Sequence, residues 1–227
     1  MVDNSPKINI IYTDRDFLVL EKPAGILVHH TKHQKKNTLV DWLVKKFPEI
    51  KKVGEKGRYG IVHRLDRQVS GLMVIAKNQA MYKSLKSQFK YRRVEKEYTV
   101  LIYGKVNEKG VIKKPIGRTK SNKLAVIESD RDAKFKKQAI TRYKVIKRFK
   151  NYTLLRVNIL TGRTHQIRLH LKSIGSPIVG DRKSKDFDLN RIFLHASFLG
   201  FHDLDEKWHE FESNLPNKLK NILNKIK

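Results

Sequence analysis

The stretch Gly60-Ile61-Val62-His63-Arg64-Leu65-Asp66-Arg67-Gln68-Val69-Ser70-Gly71 runs straight into Leu72-Met73-Val74-Ile75-Ala76. The second part is a short, unbroken apolar run closed by Lys77, and it reads as a buried strand. The first part is polar and bracketed by glycines. It reads as a loop delivered by that strand, where catalytic side chains commonly sit. Asp66 has Arg64 and Arg67 as close neighbours in sequence. Cations this near favour the carboxylate, so Asp66 is expected to be ionised and able to act as nucleophile or base. The competing reading is a surface turn in which Asp66 merely pairs with an arginine.

Outward from this stretch the chain alternates strand and helix signals. Residues 8–12 and Phe17-Leu18-Val19-Leu20-Glu21 read as two short strands closed by Pro23 and Gly25. Thr38 and Asp41 form a capping box for a helix carrying Leu39, Trp42, Leu43 and Phe47, which Pro48 stops. Asn78 caps a second helix with Met81, Leu85 and Phe89 on one face. Residues 97–103, 139–147 and 152–160 are rich in strand formers. Thr161 or Thr164 can cap a helix that buries Ile167, Leu171 and Ile174, with Gly175 as its left-handed end. A last amphipathic helix occupies 214–227, with Pro216 in its first turn. Strands outnumber helices and short turns join many of them. The expected class is α+β, with a mixed, mainly antiparallel central sheet flanked by helices and loops. No break divides the chain, so 1–227 is expected to be one domain, with 107–135 a basic excursion from it.

The charge balance names the kind of partner. Over 227 residues there are 50 Lys and Arg against 22 Asp and Glu, a formal charge of +28. Such a field favours a polyanion. It is concentrated: residues 113–150 hold 14 basic and 3 acidic side chains. The absence of cysteine excludes disulfide frameworks, thiolate metal sites and a Cys nucleophile. No apolar run approaches the roughly 18 residues of a membrane helix. The start, Met1-Val2-Asp3-Asn4-Ser5-Pro6, lacks the pattern of a signal peptide. The expectation is a cytoplasmic protein with no membrane association. His29, His30 and His33, and the pair His165 and His170, do not have helical metal-ligand spacing, so no metal site is expected.

A second polar cluster is Thr161-Gly162-Arg163-Thr164-His165-Gln166-Ile167-Arg168-Leu169-His170. It opens a helix, and its donors suit phosphate, base edges or a carboxylate. Together the two clusters resemble the RluA-type family of RNA pseudouridine synthases. His63 to Gly71 resembles that family's His-Arg-Leu-Asp-x-x-Thr-Ser-Gly motif, and Leu160 to His170 its Thr-Gly-Arg-Thr-His-Gln-Ile-Arg motif. Three shorter stretches follow the family's order: Lys22-Pro23-Ala24-Gly25 with Val28-His29, Lys96-Glu97-Tyr98, and Pro177-Ile178-Val179-Gly180-Asp181. Val69, His30 and Asp203 depart from the usual Thr, Pro and His-Pro. The resemblance begins near residue 8, so the catalytic domain is expected without the S4-like module that many relatives carry in front.

The resemblance implies an enzyme that isomerises specific uridines in structured RNA, in rRNA or tRNA stem-loops, without metal or cofactor. It implies that Asp66 is the catalytic carboxylate, Arg168 its cationic partner and Tyr98 the ring that stacks on the uracil. Arg64 would enter the RNA where the base has left the stack. His63, Arg163, His165 and Gln166 are expected to contact RNA. A monomer is expected. The alternative is a non-catalytic, basic RNA-binding or ribosome-assembly protein.

Overall fold

The computed structural model describes residues 8–31, 34, 36–127, 133–181, 187 and 189–226. His33 and residues 128–132 of the expected basic excursion lie outside these. In chain order the first elements are β1 (Asn9–Thr13), β2 (Phe17–Lys22), α1 (Leu39–Lys46), β3 (Ser70–Ala76), α2 (Gln79–Tyr91) and β4 (Glu95–Tyr103). Then come β5 (Lys109–Lys113), β6 (Ile116–Thr119), β7 (Leu124–Val126), β8 (Ala133–Lys137), β9 (Ile140–Arg148) and β10 (Tyr152–Ile159). The chain ends with α3 (Gln166–Ser173), β11 (Leu194–His202), β12 (Trp208–Glu212) and α4 (Asn217–Lys225).

These elements gather into two compact units. The first contains residues up to Lys96 and Ala196–Asn214, the second Glu97–His195 and Leu215–Lys227. In the first, β2 lies between β1 and β3 and is antiparallel to both, and β11 pairs antiparallel with β12. Phe17, Leu18, Val19 and Leu20 of β2 and Leu72 to Ala76 of β3 are buried on both faces, which explains why β3 reads as a continuous apolar run. The expected capping box of α1 is present: Asp41 N–H donates to Thr38 Oγ1, and Thr38 N–H to the Asp41 carboxylate. Asn78 accepts from Met81 N–H at the start of α2. In the second unit, β10 lies between β4 and β9, and β5 adds to β9. A separate sheet runs in the order β7-β6-β8. Every pairing named here is antiparallel. The chain is of the expected α+β class with a mainly antiparallel sheet.

Three details differ from the sequence reading. Helix α3 starts with His165 in the left-handed conformation, φ 54°, and has no side-chain cap, although Thr161 and Thr164 were both available. Ile174, expected on its buried face, is 36% exposed, because it follows the helix in the turn that Gly175 closes at φ 78°. Pro216 stands just before α4 rather than inside its first turn.

Candidate active site

Glycines bracket the Asp66 loop where the backbone has no room for a side chain. A Cβ on Gly60, at φ 80°, would sit 2.2 Å from the Ala76 carbonyl oxygen. On Gly71, at φ 122°, it would sit 2.2 Å from that of Ala196. Both φ values also lie in the region L side chains avoid. Between the glycines, Leu65 and Val69 are buried and pin the loop to the core on either side of Asp66. Val69 is 2% exposed, so its branched side chain packs in the core beside the turn. Val69 N–H donates to the Asp66 carbonyl and closes the turn. Asp66 itself is half-buried, and Arg64, Arg67 and Gln68 are exposed.

A second segment clamps this loop from the side. Lys22 has no exposed surface, and its ammonium donates to the carbonyls of Pro23 at 2.7 Å, Ile26 at 3.1 Å and Arg67 at 3.4 Å. Gly25 N–H donates to the Arg67 carbonyl at 2.7 Å, and Arg67 Nε returns a bond to the Gly25 carbonyl at 2.9 Å. The Lys-Pro-Ala-Gly segment therefore sets the backbone that immediately follows Asp66. Nothing in the sequence pattern assigns this task to Lys22, since a lysine before Pro-x-Gly reads as an exposed turn residue.

His63 and Arg64 separate at this point. His63 Nε2 accepts from Val74 N–H at 3.0 Å, and its ring stacks on Phe89 at 4.7 Å. Burial, helped by the nearby Lys96 ammonium, lowers its pKa to about 3. His63 is thus neutral, with its Nε2 engaged by strand β3, which leaves Nδ1 for the RNA contact expected of this residue. Lys96 lies 5.3 Å from the Phe89 ring centre, and burial lowers its pKa to about 8. The exposed Arg64 reaches His29 Nε2 at 3.4 Å. Burial and that guanidinium keep His29 below its ordinary pKa, so it is a neutral acceptor that orients Arg64.

The other expected residues lie in the second unit. Tyr98 is 7% exposed on β4, opposite Val157 of β10. Arg168 on α3 grips Asp181: its Nε and Nη2 reach Oδ1 at 2.8 Å and 2.5 Å. Both partners are half-buried or less exposed still, where a charge-assisted bond of this kind holds a guanidinium in one orientation. Asp181 ends the Pro177–Asp181 turn, which hangs from β4 by Tyr103 N–H to the Pro177 carbonyl and Val179 N–H to the Leu101 carbonyl. The sequence contains this aspartate in a recognisable motif but no periodic signal linking it to Arg168.

Gln166, expected to face RNA, is instead 3% exposed with its amide fully used within the protein. Its Oε1 accepts from Thr161 Oγ1 and Arg163 N–H, and its Nε2 donates to the Ile140 carbonyl and Thr141 Oγ1. Thr141 in turn meets His170 Nδ1 at 2.9 Å, and His170 Nε2 meets the Lys114 carbonyl at 2.9 Å. The carbonyl requires a proton on Nε2, and burial lowers the His170 pKa, so the ring is neutral and Nδ1 accepts from the Thr141 hydroxyl. This chain of bonds fixes α3 on β9 and so fixes the rotation at which Arg168 leaves the helix. Arg163 donates from Nε to the Gln138 carbonyl, and His165 and Gly162 lie at the open start of α3. Among the described residues no three His, Asp or Glu side chains gather as a metal-binding group, and no helix is long and apolar enough to cross a membrane.

These loops and the mainly antiparallel fold define a known class. The family model described as RNA pseudouridylate synthase matches residues 16–173. The chain belongs to that family. It is 41% identical over 212 residues to an uncharacterized RNA pseudouridine synthase of Chloroflexus aurantiacus, covering 90% of this chain and 65% of that one. It is 34% identical over 245 residues to ribosomal large subunit pseudouridine synthase D of Blochmanniella floridana, covering 98% of this chain and 74% of that one. Among solved structures it resembles human RNA pseudouridylate synthase domain containing 1, with TM-score 0.76 and 28% identity over 93% of this chain and 86% of that one. Family members are isomerases of RNA uridine, and the non-catalytic alternative is not favoured.

Two outcomes follow from the geometry of the loops. Lys22→Met keeps the apolar stem but takes the ammonium from the part-buried carbonyls of Pro23 and Ile26 and leaves the Arg67 carbonyl to Gly25 N–H. It should lower stability by about 2–4 kcal/mol and the melting temperature by roughly 5–15 °C; thermal and urea unfolding of the variant check this, and a change below about 1 kcal/mol would contradict the clamp. His63 binds its proton far more weakly folded than unfolded, so its contribution is complete above pH 6.5 and is lost as pH falls toward about 3. His63→Gln, which keeps an acceptor for Val74 N–H, should flatten the fall in stability over that window. An unchanged acid limb in urea titrations would show that His63 is not its source.

Proposed function

We propose that this chain converts specific uridines of structured RNA to pseudouridine, with Asp66 as the catalytic carboxylate. The observation that carries the reading is a half-buried aspartate on a loop clamped on both sides, in a chain of this family and of +28 charge. The reaction breaks N1–C1′ and forms C5–C1′, with a proton leaving C5 and one gained at N1. Both bonds lie in one nucleotide, so no oxidant, metal or group donor enters the balance. As nucleophile at C1′ or base at C2′, Asp66 acts in its ionised form. Arg168 serves as its cationic partner, and its hold on Asp181 supports that role by limiting the guanidinium to one orientation. Tyr98 offers a flat face to the uracil and a hydroxyl to relay a proton.

The base must leave its stack to be reached. Arg64 fits the gap it leaves, because a guanidinium can stack and donate at once. Arg163 and His165 contact phosphate at the start of α3. His63 and Gln166 serve mainly to hold the two loops in place. Large-subunit rRNA is the favoured substrate, on the name of the Blochmanniella relative, with tRNA as the second. The chain acts as a monomer in the cytoplasm in this reading.

Single-turnover pseudouridine formation and RNA affinity test the assignment. Asp66→Asn keeps the shape and removes the charge, so turnover should fall below detection while affinity, dominated by phosphate contacts, changes less than about two-fold. Arg168→Met should also cut turnover strongly, because the carboxylate loses the cation assigned to orient it. The double variant should be no slower than Asp66→Asn, since both changes disable one unit. Near-normal turnover in Asp66→Asn would refute the assignment.

A further inference from the structure

We propose that the three-stranded sheet β7-β6-β8 is a docking surface for single-stranded RNA, with Phe135 as the platform on which one unpaired base stacks. The proposal rests on the reading of the chain as an RNA enzyme but uses none of the residues assigned to the reaction. Arg118 on β6 stands directly opposite Phe135 on the edge strand β8 and opposite Leu124 on β7, so the three share one face. Phe135 is 51% exposed and has no ring or cation–ring partner among the described residues. Arg118 donates to the Asn122 carbonyl at 2.8 Å, which ties its guanidinium to the β6–β7 turn. Lys120 and Lys123 in that turn are exposed, as is Lys137, two residues along β8 from Phe135 and on the same face.

Charge complementarity selects the occupant. Residues 113–137 carry nine Lys and Arg against three Asp and Glu. A polyanion answers the charge, and an unpaired base answers the bare ring, because every base has a face that can stack on an aromatic side chain. A duplex offers the phosphates but keeps its base faces covered. An acidic peptide offers the charge without the planar face. The combination of an exposed aromatic ring, a fixed guanidinium and flanking lysines is what a single strand needs: stacking for the base and cations for the backbone on both sides of it.

The test measures binding of wild-type protein and Phe135 variants to an oligouridylate of about twenty nucleotides and to a fully paired RNA duplex of similar length. Phe135→Ala should weaken oligouridylate binding on the order of 10-fold and duplex binding less than two-fold. Phe135→Tyr should bind as wild type, and Phe135→Leu should behave as Phe135→Ala, because it restores bulk but not a ring face. The exposed position makes misfolding a small concern, and Phe135→Tyr controls for it. Wild-type affinity in Phe135→Ala, equal losses on both RNAs, rescue by Leu, or no oligouridylate binding by wild type would each overturn the proposal. None of these readouts needs turnover. If the ring behaves as stated while no RNA is isomerised, the catalytic reading fails and the platform stands; if uridines are isomerised and Phe135→Ala binds normally, the reverse holds.

Discussion

The ammonium of Lys22, wholly out of water, donates to the backbone carbonyls of Pro23, Ile26 and Arg67. A charge in that position is tolerable only because oxygens surround it, and the oxygens are held in place by the charge. The two strands behind it, β2 and β3, are buried on both faces and do not yield. The Asp66 loop therefore has one end fixed at Gly71 against the backbone of Ala196, and its middle fixed by Arg67 to Gly25 and Lys22. In the proposed reaction Asp66 gains from this, because positioning within a fraction of an ångström is a large part of the rate.

Charge is distributed with a matching economy. The side chains that set loop geometry from within, His29, His63 and His170, are kept neutral by burial and act through hydrogen bonds of defined direction. Lys22 and Arg191 are buried; the other described lysines and arginines reach the surface, where a strand of phosphates can displace their counterions. Arg168 is the intermediate case: partly buried, permanently charged, and held by Asp181. Its partner turn hangs from β4, the strand that also bears Tyr98, so two of the residues assigned to the reaction share one support within the second unit.

What the sequence disclosed follows physical lines. The caps at Thr38 and Asn78, the apolar run of β3 and the alternating strands β9 and β10 were legible because each is a local or periodic signal. Strands β5 to β8 were not: they are three to five residues long, β5 and β8 are rich in lysine, and β6 and β7 include the weak strand formers Gly117 and Ala125, so none shows an alternation long enough to read. Asp66 and Arg168 stood out as charged groups in dense motifs. The tasks of Lys22, Asp181 and Gln166 were hidden, since each depends on partners the sequence does not juxtapose. Gln166 shows the point most directly: among donors at a helix start it reads as a ligand contact, yet its amide is spent on Thr161, Arg163, Ile140 and Thr141.

The most direct measurement is a map of pseudouridine in rRNA and tRNA from cells that lack this gene, and from the same cells complemented with the wild-type or the Asp66→Asn chain. The account predicts that at least one pseudouridine disappears with the gene, returns with the wild-type chain, and stays absent with Asp66→Asn at equal protein level. Identical maps in all strains, or restoration by Asp66→Asn, would contradict it.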